Sequence, residues 1–417
     1  MITLLSQPTT FLQSAGNNSV YTISGSNYLA PNVTDWQAIC QIYINGNLAT
    51  TQKGFSSPVY PGYSSFDMRN IVSNFVSYDF PYIDSTSSIF ATASNSSCLV
   101  QLVFSEQYTL GSVFSQSVGL ASSSVFAYIN SSLPYVNQIT TNLNDYLQTG
   151  TTGSLKKFLA SGSNSIETYT NLRNHLYFYN SGSIAGVNVS TYDSNNVLIG
   201  IYTLSNPYSS SVGVESIGVG YPTLNNLLTS SYSVVSGSVS LINLRVNYYT
   251  VNLFNGSSQI CSETFTYTLG QLYDRWSQYS INCYFLNEMG GMSEYKFQKK
   301  NQTSFNKTVS TYKRLPGQLQ ASGQFKFNTY DRQESNYFTA ITSMMELNSD
   351  WISDIDSLAL IRNLFGSPII FLEDSNGVLQ AANLKEDSYK INKKEIEKLY
   401  QVTFNMQLSQ TDYRQQI

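Results

Sequence analysis

The chain has 417 residues, 41% of them hydrophobic and only 12% charged, with a formal net charge of −4. That length corresponds to about two to four domains, and the apolar fraction is large enough to bury real cores, which excludes wholesale disorder. The acidic balance argues against nucleic-acid binding; no apolar run reaches the roughly 18 residues that span a bilayer, and the opening MITLLSQPTTFLQ lacks the basic start and long apolar core of a secretory signal.

The first regular element is a hairpin over Ile39–Thr51. Cys40–Ile44 alternates, Asn45-Gly46 suits a type I′ turn, and the chain returns through Leu48-Ala49-Thr50. A Pro/Gly-rich loop follows from Ser57 to Tyr63. Residues 67–76 then place Ile71, Val72, Phe75 and Val76 on one face of a short amphipathic helix. Cys98–Phe104 reads as a further strand, completing a first β-sandwich domain over residues 1–110. Residues 111–170, rich in Ser, Gly, Asn and Thr, read as a connecting region of short helices or loops, with edge strands of either neighbour as the alternative.

Strand signals resume at Leu176–Tyr179. Val187–Tyr192 and Val197–Tyr202 flank Asp193-Ser194-Asn195-Asn196, a second hairpin signature, and Val239–Phe254 alternates into a turn at residues 255–258 and a return over Gln259–Leu269. These make a second β-sandwich domain, 171–298. Residues 299–417 form a smaller α+β domain. Its helix lies within Ser349–Pro368, with Ser353 as N-cap, Asp354 and Asp356 in the first turn, a face of Leu358, Ile361, Leu364 and Phe365, and Gly366 as the stop. A hairpin over Ile369–Ala381 turns at residues 374–377. The last strand alternates Tyr400, Val402, Phe404, Met406 and Leu408 with polar residues. The expected fold class is therefore mainly β: two sandwich-like domains and a smaller α+β domain.

Chemistry is sparse. The single histidine, His175, sits beside Arg173 without an HxH or HxxxH partner, so it reads as structural. Cys40, Cys98, Cys261 and Cys283 stand far apart with no CxxC pair and read as buried free thiols. Gly290-Gly291 lacks phosphate-loop spacing and reads as a turn. Glu373-Asp374 reads as a solvated hairpin loop with calcium binding as the alternative. Lys296, Lys299, Lys300, Lys307, Lys313 and Arg314, interleaved with Phe305 and Tyr312, read as a charged strand edge that discourages wrong pairing, against nucleic-acid or lipopolysaccharide contact. No catalytic, cofactor-binding or metal-ligating constellation emerges, and the expectation is a protein without enzymatic activity or cofactor.

Charge is uneven: residues 1–250 carry six Lys/Arg and nine Asp/Glu, against sixteen and seventeen in residues 251–417. With 32 Tyr and 22 Phe, the first part is expected to expose weakly charged, Tyr-rich surface and to bury it between subunits.

Several stretches carry a resemblance. Ser26-Asn27-Tyr28, Ile42-Tyr43-Ile44-Asn45-Gly46 and Phe66-Asp67-Met68-Arg69-Asn70-Ile71-Val72 resemble the N-terminal β-domain of virion structural proteins from tailed phages of Bacteroidota hosts. Residues 283–297 (CYFLNEMGGMSEYKF) resemble that group's "LNxxGGxxxYxF" signature, with Met292-Ser293 where the group often has Asp or Phe. Residues 347–352, 366–372 and the last strand resemble its closing domain. The resemblance implies a tail, tail-tip or baseplate component, assembled in the host cytoplasm. Its partners would be identical copies in a homo-oligomeric ring and other virion proteins. A carbohydrate-binding receptor protein or adhesin, contacting host surface glycan, is the competing expectation.

Overall fold

The computed structural model describes residues 2–80, 87–117, 119–270, 280–299, 301–349, 351–385 and 399–413. The chain is mainly β, arranged in several sheets with few and short helices. It divides into two compact units: Met1–Leu272 with Leu286–Glu294, and Tyr273–Phe285 with Tyr295–Ile417.

In the first unit, the chain begins as a three-stranded antiparallel sheet of Ile2–Ser6, Val20–Gly25 and Tyr63–Asp67. A larger sheet runs in the order Leu12–Ser14, Phe126–Ile129, Ser97–Leu110, Val33–Ile44, Asn47–Phe55. Two-residue alternation selects the buried faces: Ala38, Cys40, Ile42 and Ile44 on one strand meet Cys98, Val100, Leu102 and Phe104 on the next. With Tyr21, Ile23 and Phe66 from the smaller sheet they form one core, sandwich-like in character. Each such aliphatic side chain contributes roughly 1.5–3 kcal/mol by leaving water. The Asn45-Gly46 turn forms as its sequence requires, both residues at positive φ (50° and 81°), with Ile44 paired to Asn47. The following helix is shorter than its pattern suggests, Arg69–Val72: Val72 and Val76 are buried in the core and Ile71 packs against it, while Phe75 stays exposed.

A second core in the same unit lies between residues of two further sheets. One is ordered Leu147–Gln148, His175–Ser181, Val212–Gly218, Phe90–Thr92; the other Ser165–Thr168, Phe265–Leu269, Tyr248–Asn255, Ile184–Tyr192, Leu198–Ser205, Ser233–Gly237. Leu176, Phe178, Ile217 and Phe90 from the first meet Val187, Val189, Tyr202, Tyr249, Val251 and Tyr267 from the second. The hairpin at Asp193 is as expected: its carboxylate accepts from the backbone N–H of Asn195 (2.8 Å) and Val197 (2.9 Å).

Two readings need correction here. Residues 111–170 follow the edge-strand alternative more than the reading as loops and short helices, and contain the strands Val113–Gln116, Ala121–Ser122, Phe126–Ile129, Leu147–Gln148 and Ser165–Thr168. They are short, and two of the last three pair in parallel with strands downstream, so no local turn announces them. Val239–Phe254 is not one strand: pairing begins at Tyr248, while Leu241 and Ile242 are buried as unpaired chain. Phe90–Thr92 pairs with Val212–Gly218, far along the sequence from its neighbours.

The second unit holds a seven-stranded sheet, ordered Met292–Phe297, Ile281–Leu286, Ile370–Glu373, Leu379–Leu384, Thr403–Tyr413, Glu334–Asn348, Gln302–Lys313. Val402, Phe404 and Met406 of the final stretch are fully buried, and the helix Asp354–Gly366 packs on the same core. Its buried face is Leu360, Ile361 and Leu364; Leu358 and Phe365, expected inside, are each 38% exposed. The side chains of Asp354 and Asp356 lie outside the described residues. Gly366 is the last helical residue and does not take the left-handed stop conformation. No helix among the described residues is long and apolar enough to cross a membrane.

Candidate assembly interface

Most residues singled out by the sequence are built into cores. His175 is buried, and burial, reinforced by Arg173, pushes its imidazole down to about 3, so it is neutral at physiological pH. All four cysteines are buried and free. Burial pushes the Cys40 thiol up to about 12 and those of Cys98 and Cys261 up to about 11, which suppresses the reactive thiolate. Gly290-Gly291 forms a tight turn organised by Asn287, whose Oδ1 accepts from the N–H groups of Met289 (2.9 Å) and Gly291 (3.1 Å). Gly290 has φ +90°, and a Cβ there would stand 2.6 Å from the Asn130 carbonyl oxygen, so only glycine fits.

Several carboxylates within the fold accept from neutral donors. Glu106 accepts from Trp36 Nε1 (2.9 Å) and Asn27 Nδ2; Glu215 accepts from Asn180 (2.8 Å) and Asn206 (2.7 Å). Glu294 Oε1 accepts from Asn174 Nδ2 (2.7 Å) and the His175 N–H (3.2 Å). Its Oε2 is sealed from solvent and has no hydrogen-bond partner among the described residues, and burial raises this acid to about 8. Glu373 accepts from Tyr284 OH (2.6 Å) and Asn282 Nδ2 (3.1 Å), which corrects its reading as a solvated loop residue. The turn is made by Asp374 alone, through the N–H groups of Asn376 and Val378 (2.9 Å each). Among the described residues no group of three or more His, Cys, Asp or Glu is placed to hold a metal ion.

The basic stretch divides. Lys296 is 3% exposed; burial lowers its ammonium to about 8, against the opposing pull of Glu373. It is thus part of the core and cannot meet a phosphate. Lys300 lies outside the described residues. Lys307, Lys313 and Arg314 are exposed, together with Phe305 (68%) and Tyr312 (43%).

These exposed residues lie on the longest hairpin of the chain, Gln302–Lys313 paired to Glu334–Asn348. Among the described residues, the inner strand pairs onward to Thr403–Tyr413 from Ala340 to Asn348, and residues 309–313 and 334–339 continue as a two-stranded arm beyond that pairing. At the tip, Gln318–Leu319 and Phe325–Lys326 form a small ladder turning at Gly323 (φ 77°). Nearly every side chain from 302 to 337 is exposed on both faces. Leu315, Leu319, Phe327, Tyr330 and Tyr337 are between 51% and 80% exposed. Gln302–Lys313 is the terminal strand of its sheet, so its outward N–H and C=O groups are unpaired among the described residues. The tip was legible only in part: Pro316-Gly317 and Ser322-Gly323 are turn signals, but isolated aromatics among polar residues carry no amphipathic pattern.

No protein-family model matches the chain, and no curated protein sequence matches it.

Proposed function

We propose that this chain is a structural component of a tailed-phage virion, of the tail, tail-tip or baseplate class, assembling with identical copies and with neighbouring virion proteins. In this reading it comprises two β-sandwich-like domains followed by a smaller α+β domain, and it is not an enzyme. The motif resemblance supplies the class. The observation that carries the mode of action is the hairpin arm.

A two-stranded ribbon without a covered face is marginally stable in water, and an unpaired strand edge is a template for another strand. An arm that keeps its aromatics in water on both faces is therefore an element awaiting a neighbour. Residues 302–334 carry five Lys/Arg against two Asp/Glu, whereas residues 1–250 carry six against nine. That complementarity favours docking of a basic arm on the acidic first unit of another copy; head-to-tail contacts of this kind close into rings. The proposed interface thus lies at the arm and not on Tyr-rich surface of the first unit.

Native mass and particle imaging test the reading. Replacing residues 310–338 by Asn-Gly joins the paired positions Val309 and Thr339 through a type I′ turn. The full chain is expected to form closed oligomers at rising concentration, and the shortened chain to stay monomeric with an unchanged melting temperature. A full chain that is monomeric at high concentration, with no arm contact in any particle, overturns it.

A further inference from the structure

The first unit carries a polar pocket distinct from the arm. It has a volume of about 260 Å³ and is walled by the approach to the strand Leu12–Ser14, the loop 17–20 and the segment 133–143. None of its lining residues is charged; they are amides, hydroxyls and a few apolar groups, Pro8, Val20, Leu133 and Leu143.

The walls are held by their own hydrogen bonds. Asn17 clamps Leu133 from both sides, its Oδ1 accepting from the N–H (2.8 Å) and its Nδ2 donating to the C=O (2.7 Å). Gln13 Nε2 donates to Thr10 Oγ1 (2.7 Å), and Gln138 Nε2 donates to the Asn18 carbonyl (3.3 Å). What remains is a set of unspent groups. Among the described residues, Gln13 Oε1, Gln138 Oε1, the Asn18 carboxamide and the hydroxyls of Thr9 and Thr141 make no hydrogen bond within the protein.

The chemistry of these groups selects the ligand. An ionic ligand would lose hydration without meeting a counter-charge, and an apolar ligand would strip water from amides and hydroxyls it cannot satisfy. A neutral polyhydroxyl compound does neither, because each of its hydroxyls both donates and accepts, matching amide oxygens, amide N–H groups and ambivalent hydroxyls. The volume lies just under the roughly 300–1,000 Å³ of sites for drug-sized ligands, which suits about one or two pyranose rings. The small apolar strip offers a place for a ring's C–H face. We propose that this pocket binds one end of a neutral oligosaccharide built of hexose or N-acetylhexosamine units. This site is separate from the arm, so its failure leaves the assembly reading untouched.

Saturation-transfer NMR on the full chain tests it, with maltotriose, mannotriose and chitotriose as neutral probes and sialyllactose as an anionic one. Transfer to at least one neutral trisaccharide is expected, with a Kd on the order of 1 mM. Asn18→Arg, on the exposed rim, should extend a long charged side chain over the pocket and weaken binding by at least about tenfold at unchanged melting temperature, a loss of about 1.4 kcal/mol. Should that variant misfold, Gln138→Leu, on a surface helix, removes the free Oε1 and the Nε2 bond to the Asn18 carbonyl without filling the space and is expected to weaken binding severalfold. No transfer from any neutral probe, stronger binding of sialyllactose, or equal binding by both folded variants overturns the proposal.

Discussion

The tyrosines of the first unit and the aromatics of the C-terminal arm are the same chemistry put to opposite uses. In the first unit Tyr21, Tyr128, Tyr177, Tyr179, Tyr202, Tyr249 and Tyr267 are fully buried. Most of their hydroxyls find partners: Tyr249 donates to the Val219 carbonyl (2.6 Å), Tyr202 to the Ser240 carbonyl (2.8 Å), and Tyr21 and Tyr128 share a bond (3.2 Å). Burial raises these phenols, Tyr179 to about 12, so they remain neutral donors at any physiological pH. On the arm, Tyr312, Tyr330 and Tyr337 stay largely in water. Many tyrosines of residues 1–250 thus belong to cores, while Tyr60 (66%), Tyr63 (41%) and Tyr135 (79%) are exposed. Tyr can fill a sheet interior because its one polar atom reaches a carbonyl at the sheet rim.

Truncation separates the two uses most sharply. Tyr249→Ala removes a ring stacked on Tyr267 at 5.3 Å and should cost about 3–5 kcal/mol in denaturant unfolding. A loss under about 1 kcal/mol would mean that this core is loosely packed.

Next in size is a pH effect beside the same tyrosines. Glu294 is raised in the folded chain, so its stabilising contribution is complete below its ordinary value of 4.5 and is lost as pH rises toward about 8. Tyr267, Tyr249, Tyr177 and His175 surround it. The fall between those limits should be on the order of a few kcal/mol. Glu294→Gln, which keeps the oxygen accepting from Asn174 and His175, should flatten that part of the stability–pH curve; an unchanged slope would move its origin to another group.

Smaller again is Tyr249→Phe, which leaves the Val219 carbonyl without its donor and should cost about 1–2 kcal/mol. Tyr337→Ala on the arm should alter stability by less than about 0.5 kcal/mol while reducing oligomer formation, measured by native mass. If Tyr337→Ala destabilises the fold as much as Tyr249→Phe does, the contrast between buried and waiting aromatics fails. Salt gives the finest test. An interface drawn together by a basic arm should weaken severalfold between about 50 and about 500 mM NaCl, whereas one made of uncharged Tyr-rich surface would hold.

Local backbone demands were readable from the sequence alone. Asn45-Gly46, Asp193–Asn196 and Asp374–Gly377 announce hairpins because positive φ and side-chain caps are properties of two to four adjacent residues. The clean alternation of Val402, Phe404 and Met406 announced a one-sided strand for the same reason. For the candidate interface, the sequence marked Lys307, Lys313, Arg314, Phe305 and Tyr312 as a charged, aromatic strand edge but wrongly joined buried Lys296 to them. Tertiary structure decided what depends on distant partners. Phe90–Thr92 becomes a strand only because Val212–Gly218 lies beside it, and Leu12–Ser14 only because Phe126–Ile129 does. The burial of Tyr249 and the exposure of Tyr337 were decided in the same way. A Tyr carries both an apolar ring and a polar hydroxyl, so its own residue type is compatible with either place, and only the neighbours that fill or leave open the space around it select one.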